Sequence, residues 1–203
     1  MAGEVPCIYK SFSCERYVDQ HSLAEHSSIC VHAPCYCYEC TPPFEGSPVS
    51  LVHHLTTPSV EHYWPVVVNI RYETCYLFAV PESLEDHHCL LVTEEDDSVF
   101  LLVVGTGKAH ASHCHVSIVC VGGNAADADT RPVYGCVLAV TAPQRYVGAH
   151  PSSMTLTGTV PNCSVPSDVD MEDPRYDFHH NMVQRDSKEL HLDICITKLN
   201  VDH

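Results

Sequence analysis

The sequence predicts a mainly β protein in which two small zinc fingers precede an antiparallel β-sandwich. Two consecutive sets of four Cys and His residues lie between Cys7 and His62. From Val66 onward, apolar side chains alternate with a period of two, which is the period of a half-buried strand. About eight or nine such segments recur at short intervals without a helical period, which is typical of a sandwich. We therefore expect a zinc-finger module over residues 1–62 and a sandwich over residues 63–203.

The first predicted metal site consists of Cys7, Cys14, His26 and Cys30. Six residues separate the two leading cysteines, eleven separate Cys14 from His26, and three separate His26 from Cys30. Residues 19–25 have the composition of a short helix, so the last spacing places His26 and Cys30 on one helical face. Four soft or borderline ligands satisfy a tetrahedral structural zinc ion and leave no open position for chemistry.

The second predicted metal site consists of Cys37, Cys40, His54 and His62. It begins with a C-x-x-C pair and ends with two histidines. Ser47 is expected to cap a helix over Pro48–Leu55, because proline is well suited to the first helical position. We prefer His54 over His53, although spacing alone does not separate them. Cys35 is the alternative ligand.

Disulfide bonds or buried free thiols are the alternative explanation of these cysteines. The total of 13 cysteines is odd, and we expect no secretory signal peptide before Cys7. Cysteines mixed with histidines also favour metal binding in a reducing compartment. Two structural zinc ions are therefore the expected cofactors, and a cytoplasmic or nuclear location is expected.

The charge balance disfavours nucleic acid as a partner. The formal net charge is -16, from 26 acidic and 10 basic residues. Nucleic-acid affinity rests on Lys and Arg residues that neutralise phosphates, whereas the finger region contains only Lys10 and Arg16. We therefore expect the fingers to be structural or protein-binding. No apolar run is long enough to predict a membrane segment.

Eight segments carry the strand pattern most clearly. They are Val66–Tyr72, Cys75–Val80, His88–Thr93, Ser98–Val104, His113–Val121, Tyr134–Val140, Met154–Val160 and Leu190–Ile196. In the first strand we expect Val66 to point inward. The acidic tip Glu94–Asp97 predicts a solvated hairpin turn. On a later strand, His113, His115 and Ser117 are expected on one sheet face, which is an exposed face for the histidines, and residues 161–174 predict a long surface loop.

Several stretches resemble a known family. They are the first ligand set at its spacing, Cys30–Cys37 with the sequence CVHAPCYC, Ser83–Asp96, and Leu190–Ile196. Together they resemble the seven-in-absentia (SINA) family of ubiquitin ligases, in particular its plant SINA-like branch, over nearly the whole chain. The resemblance implies two zinc fingers followed by a sandwich similar to the TRAF C-terminal domain. That domain dimerises and binds substrate or adaptor peptides.

The sequence also departs from the family pattern. The family's RING domain, which recruits the ubiquitin-conjugating enzyme, lies upstream of the fingers, whereas six residues precede Cys7 here. We therefore expect a RING-less protein without autonomous ubiquitin transfer. It would bind protein substrates or partners and would dimerise with, or compete against, RING-bearing members. The alternative is the substrate-recognition part of an active ligase whose RING has been removed.

The predicted peptide-binding strand is His88–Val92. Where animal members of the family offer an acidic and an aromatic residue, this sequence has His88 and Cys89. We expect this strand to lie at a sheet edge and to bind a peptide by strand addition, with Leu91 facing the ligand.

A cysteine-nucleophile enzyme is the competing class of function. Cys163 with His150, or Cys89 with His88, would supply a thiolate beside a histidine. No nucleophile motif such as G-x-S-x-G is present. Most cysteines outside the fingers fall on inward strand positions, where a thiol is unreactive. No catalytic residue is therefore assigned.

Overall fold

The structure is a computed structural model that describes residues 3–30, 32–58, 63–106, 113–122, 133–143, 152–164 and 175–199. Within these ranges the chain is mainly β, as the sequence predicts. A region of short elements comes first, and two larger sheets follow it.

The first region contains two small hairpins, each followed by a helix. Its elements are β1 (Glu4–Pro6), β2 (Tyr17–Asp19), α1 (Leu23–Ile29), β3 (Cys35–Cys37), β4 (Phe44–Gly46) and α2 (Pro48–Leu55). The predicted bounds of α2 are confirmed, and the Ser47 hydroxyl accepts a hydrogen bond from the Ser50 N–H at 3.2 Å. The first helix begins later than predicted, because a 3-10 turn over Gln20–Ser22 precedes it. Asp19 caps that turn by accepting a hydrogen bond from the His21 N–H at 3.0 Å.

The following strands form the two larger sheets. They are β5 (Val66–Ile70), β6 (Cys75–Pro81), β7 (His87–Thr93), β8 (Val99–Gly105), β9 (His113–Val121), β10 (Val133–Thr141), β11 (Ser153–Val160), β12 (Asn162–Cys163), β13 (Arg175–His179) and β14 (Glu189–Leu199). The four-stranded sheet has the order β11-β10-β14-β6, and the larger sheet has the order β12-β9-β8-β7-β5 with β13 also paired to β9.

Most strand pairs are antiparallel, but the prediction of a fully antiparallel fold is wrong at two places. β5 pairs with β7 in parallel, and β12 pairs with β9 in parallel. The first parallel pair arises because the chain crosses from β5 to β6 in the other sheet and then returns beside β5 in the same direction. The second pair places Asn162 and Cys163 in a strand, where a surface loop was predicted. Residues 165–174 of that loop lie outside the described ranges.

The two sheets share one apolar core. Alternate residues of β9, β10 and β14 point into it, as their sequence pattern predicts. Phe100 and Ile118 of the larger sheet belong to the same buried cluster as Leu138 and Leu192 of the four-stranded sheet. Covering one face of each sheet with the other removes both apolar faces from water, which is the main favourable term in folding. Val66 is an exception, because it lies on the last strand of its sheet and is 46% exposed.

The outer face of the larger sheet is buried at His115 and Ser117, which contradicts the prediction of an exposed face there. His115 is 8% exposed and Ser117 is 0% exposed, whereas His113 at the start of β9 is exposed as predicted. The His115 imidazole lies against Gly105 of β8, where any added Cβ would overlap the ring. Its Nε2 lies 3.6 Å from an Asp86 carboxylate oxygen. The sign of this burial in the sequence is the uninterrupted apolar run of the neighbouring strand β8, in which every residue is buried. A strand that is covered on both faces has no polar side to alternate with.

The acidic hairpin tip is a turn in which Glu94, Glu95 and Asp97 are exposed, as predicted, whereas Asp96 is partly buried and held by specific bonds. The Asp96 carboxylate accepts hydrogen bonds from the Tyr72 hydroxyl at 2.9 Å and the Thr93 hydroxyl at 2.7 Å. It also accepts one from the Ser98 N–H at 3.2 Å and pairs with the Lys198 ammonium. Burial opposes ionisation of Asp96, but these donors outweigh it and lower the pKa of the carboxyl. Asp96 thereby joins the tip between β7 and β8 to the segment after β5 and to β14.

The Asp96 network predicts a stability difference that depends on pH. Replacing Asp96→Asn should lower the free energy of unfolding at pH 7 by about 1–2 kcal/mol, because charged hydrogen-bond partners are lost at a partly exposed site. A carboxyl with a lowered pKa stabilises the fold above its unfolded pKa of about 3.9, and this contribution is lost as the pH falls through the folded value. Urea unfolding of both proteins at pH 7 and near pH 3 measures the difference, which should shrink at the lower pH.

The matched control for this experiment is Asp97→Asn. Asp97 is the neighbouring exposed acid, and its positive φ of 55° suits asparagine as well as aspartate. This variant should unfold like the unchanged protein at both pH values. Equal losses of stability in the two variants would contradict the assigned role of Asp96.

Candidate metal centres

The first predicted ligand set comes together in the structure. The Cys7, Cys14 and Cys30 sulfurs and a His26 ring nitrogen all lie within 4.8 Å of one another. Cys7 Sγ lies 3.9 Å from Cys30 Sγ, and Cys14 Sγ lies 3.5 Å from His26 Nε2. Ligands of a tetrahedral ion with bonds of about 2.3 Å to sulfur and about 2.0–2.1 Å to nitrogen would lie about 3.8 Å and 3.5 Å apart. The four residues therefore fit a bound metal ion.

Local backbone structure places these four ligands. β1 and β2 pair antiparallel and bring Cys7 and Cys14 to one end of a hairpin. The Cys7 N–H donates to the Arg16 carbonyl at 3.0 Å, and the Cys14 N–H donates to the Tyr9 carbonyl at 3.2 Å. The Tyr9 N–H points at Cys7 Sγ at 3.4 Å, which favours a thiolate there. His26 lies in α1, and Cys30 follows directly after it.

The electrostatics of the first cluster differ between two of its thiols. Burial raises the pKa of Cys30 to about 12, with neighbouring Cys14 and Cys7 adding to the effect. Burial also opposes ionisation of Cys14, but a backbone hydrogen bond at Arg16 and bonds from Cys30 and Cys7 outweigh it and lower the pKa. A bound cation favours the thiolate at both positions, so metal binding at this cluster releases protons.

The second cluster contains three of its four predicted ligands. The Cys37 and Cys40 sulfurs and a ring nitrogen of His54 lie within 4.8 Å of one another, with Cys40 Sγ 3.3 Å from His54 Nε2. Cys37 ends β3, and His54 projects from α2. The Phe44 ring stacks on the His54 imidazole with centroids 4.3 Å apart and fixes its orientation. His62, the predicted fourth ligand, lies outside the described residues.

The two alternative ligands do not join this cluster. Among the described residues the group consists of Cys37, Cys40 and His54, without His53 and without Cys35. His53 is exposed on α2. Cys35 is fully buried, and burial raises the pKa of its thiol to about 12, with a further contribution from Cys163. The structure therefore favours His54 as the ligand from α2.

The second cluster is part of a larger core, whereas the first is not. Leu51 and Leu55 of α2 are buried against the outer face of the larger sheet. That face contributes Leu90, Val99, Leu101, Val119 and Val121. Cys35 and Cys37 belong to the same buried cluster. Among the described residues, the buried cysteines of the first cluster pack with one another and with Tyr9. Sequence reasoning missed this packing, although the i, i+4 spacing of Leu51 and Leu55 marks an apolar helix face.

The predicted peptide-binding residues do not form an edge site. β7 lies between β8 and β5, so both sides of its backbone are already paired. Cys89 and Leu91 are buried in the core between the sheets, and Leu91 cannot face a ligand. The His88 ring packs against Trp64 in a tilted arrangement, with ring centroids 4.7 Å apart. The edge prediction is wrong because the sequence gives no sign that β5 pairs in parallel with this strand.

The thiol chemistry also argues against Cys89 as a nucleophile. Burial raises the pKa of the Cys89 thiol to about 11, whereas an activated cysteine has a lowered pKa. The other pair considered from the sequence includes His150, which lies outside the described residues.

Comparison of the sequence with models of known protein families and with curated proteins finds no match. Among the described residues, no helix is both long enough and apolar enough to cross a membrane.

Because the first cluster has all four ligands, we expect a substitution in it to remove the metal of that cluster alone. Replacing Cys14→Ser should remove one equivalent of metal ion per chain, because serine does not supply a thiolate to a soft site. Metal content per chain after dialysis, measured by atomic emission, tests this. Cys163→Ser, outside both clusters, should keep the full content. An unchanged content in Cys14→Ser would contradict the assignment.

Because the second cluster packs on the larger sheet, we expect the loss of its metal to affect that sheet, unlike the loss of metal from the first cluster. Cys40→Ser should expose the apolar outer face of the larger sheet, because the segment that covers it loses its support. Binding of an apolar dye such as ANS should rise several-fold. Cys14→Ser serves as the matched comparison, since the first cluster does not cover that face. Equal dye binding in the two variants would contradict the difference.

Proposed function

We propose that this chain is a zinc-stabilised, protein-binding protein of the SINA-like type that acts in ubiquitin-dependent regulation. The observation that carries the proposal is the complete four-residue cluster Cys7, Cys14, His26 and Cys30 at tetrahedral separations. A second Cys/His cluster and two sheets with a shared core follow it along the chain. This order of parts is the one that the family resemblance implies.

Zinc is the metal that the donor atoms favour. The first cluster offers three thiols and one imidazole, and the second offers two thiols and one imidazole. Such sets suit structural zinc, whereas calcium and magnesium require oxygen ligands. Four protein ligands leave no position for a reacting water molecule. We propose two structural ions per chain, with His62 as the fourth ligand of the second.

In the first candidate function, the chain would act by association. Dimerising with a RING-bearing family member, or competing with it for substrate, would change ubiquitin transfer by mass action without chemistry in this chain. The second candidate is the substrate-recognition part of an active ligase, and the same clusters support it equally. Both candidates place the protein in the cytoplasm or nucleus, where free thiols and ubiquitin-conjugating enzymes occur together.

Partner binding by strand addition is better placed at β5 than at β7. Among the described strands, β5 pairs with β7 alone and has no neighbour on its other side. Val66 and Val67 of this strand are 46% and 42% exposed. An open strand edge with exposed apolar side chains can pair with an extended segment of another protein. The net charge of -16 favours neutral or basic protein segments over phosphate-rich partners.

The proposed function is tested by ubiquitin transfer with purified components. Alone, the intact chain should transfer no ubiquitin. Added in excess to a full-length RING-bearing SINA-family member, it should co-elute with that member and change its rate of substrate ubiquitination. Autonomous transfer, or neither co-elution nor a changed rate, would contradict the proposal.

The β5 edge is tested by a charge placed on it. Val67→Asp should weaken association with the RING-bearing member or with its substrate by about tenfold or more, because a buried interface position would then hold an unpaired charge. Leu84→Asp is the control, since Leu84 is 72% exposed in the segment between β6 and β7. Titration calorimetry measures both affinities, and equal affinities would exclude this edge.

A further inference from the structure

Two cysteines outside the metal clusters lie opposite each other in the four-stranded sheet. β6 and β14 pair antiparallel in a register that places Cys75 directly across from Cys195. Opposed residues in such a pair have Cβ atoms about 4.5–5.5 Å apart. A disulfide requires Cβ atoms about 3.5–4.5 Å apart. A small adjustment of two neighbouring strands therefore allows the bond.

Both thiols lie on the outer face of the sheet. Their neighbours Tyr76 and Ile194 pack with the core between the sheets, so strand alternation directs Cys75 and Cys195 to the opposite side. Cys75 is exposed, and Cys195 is partly buried. A small oxidant in solution can therefore reach Cys75 without opening the fold.

The other thiols outside the metal clusters are less suited to this chemistry. Cys35, Cys89, Cys114, Cys120 and Cys136 are buried, and Cys163 is partly buried. Within the described strands, Cys75 and Cys195 are the one pair of cysteines that the register sets opposite each other. This placement distinguishes the pair from an isolated surface cysteine.

The two thiols also interact electrostatically. Burial raises the pKa of Cys195, and the hydrogen bond and charge of Cys75 raise it further. This effect of Cys75 on Cys195 agrees with the short separation that the register gives. Cys75 is the more exposed of the two thiols, so it is the group that first meets an oxidant.

We propose that Cys75 and Cys195 form a redox modification site, which closes to a reversible cross-strand disulfide on reaction with a low-molecular-weight disulfide such as oxidised glutathione. The Cys75 thiolate attacks one sulfur of the small disulfide, and the other sulfur leaves as a thiolate. Cys195 then loses its proton and attacks the Cys75 sulfur of this mixed disulfide, which releases the second small thiol. The protein loses two electrons and two protons, and one small disulfide becomes two thiols.

The disulfide would link the edge strand β6 covalently to the inner strand β14 of the same sheet. β6 is the last strand of the four-stranded sheet, and β14 lies between β6 and β10. A cross-link between residues far apart in sequence restricts the unfolded chain and raises thermal stability. For a chain of this length, we expect the unfolding temperature to rise by about 5–10 °C.

The test uses the full-length, metal-loaded protein in buffers with defined ratios of reduced to oxidised glutathione. Remaining thiols are blocked with N-ethylmaleimide, and disulfide-linked peptides are identified by mass spectrometry. We expect a linked peptide pair that contains Cys75 and Cys195, a higher unfolding temperature, and reversal of both by dithiothreitol. The metal content is measured in parallel, so that oxidation at Cys75 and Cys195 is separated from oxidation of the metal-cluster cysteines.

Serine variants identify the role of each thiol. Cys195→Ser should accumulate glutathione on Cys75, because the thiol that resolves the mixed disulfide is missing. Cys75→Ser should form neither product at these positions, and Cys163→Ser should retain the Cys75–Cys195 link. The proposal is overturned if the unchanged protein keeps a stable glutathione adduct on Cys75, if both cysteines remain alkylated, or if the link joins other residues.

Discussion

The larger sheet is apolar on both faces, and this constraint organises the rest of the structure. One face packs against the four-stranded sheet, and the other would expose Leu101 and Val119 of its central strands to water if nothing covered it. The segment that carries the second Cys/His cluster covers this face with α2. A segment of this size has little core of its own, so we expect its shape to depend on metal coordination. The larger sheet and the second cluster therefore stabilise each other.

This arrangement gives the two clusters different structural roles. The first is a complete four-ligand set whose buried neighbours are its own cysteines. The second shares its buried residues with the larger sheet, and the Tyr36 N–H beside it donates to the Ser164 carbonyl after β12 at 2.9 Å. Losing metal at the second cluster should therefore disturb the sheet that carries the β5 edge, whereas losing it at the first should act locally.

The sequence predicted what depends on local pattern and failed where distant segments meet. The start of α2 follows from Ser47 and Pro48, and the inward residues of β10 and β14 follow from their alternation. The interior position of β7 depends on parallel pairing with β5, which leaves no local mark in either strand. The buried state of His115 depends on Gly105 and Asp86, which are close to it only in the folded chain. For the same reason, Cys75 and Cys195 became a pair only once the register of β6 and β14 was known.

The central claim is that metal coordination at the second cluster holds the cover of the larger sheet in place. Anomalous diffraction at the zinc absorption edge, from crystals of the intact chain, tests it most directly. The account predicts one peak between Cys7, Cys14, His26 and Cys30 and a second within about 2.0–2.4 Å of Cys37, Cys40 and His54. A folded chain with α2 on the sheet but no peak at the second cluster would contradict it.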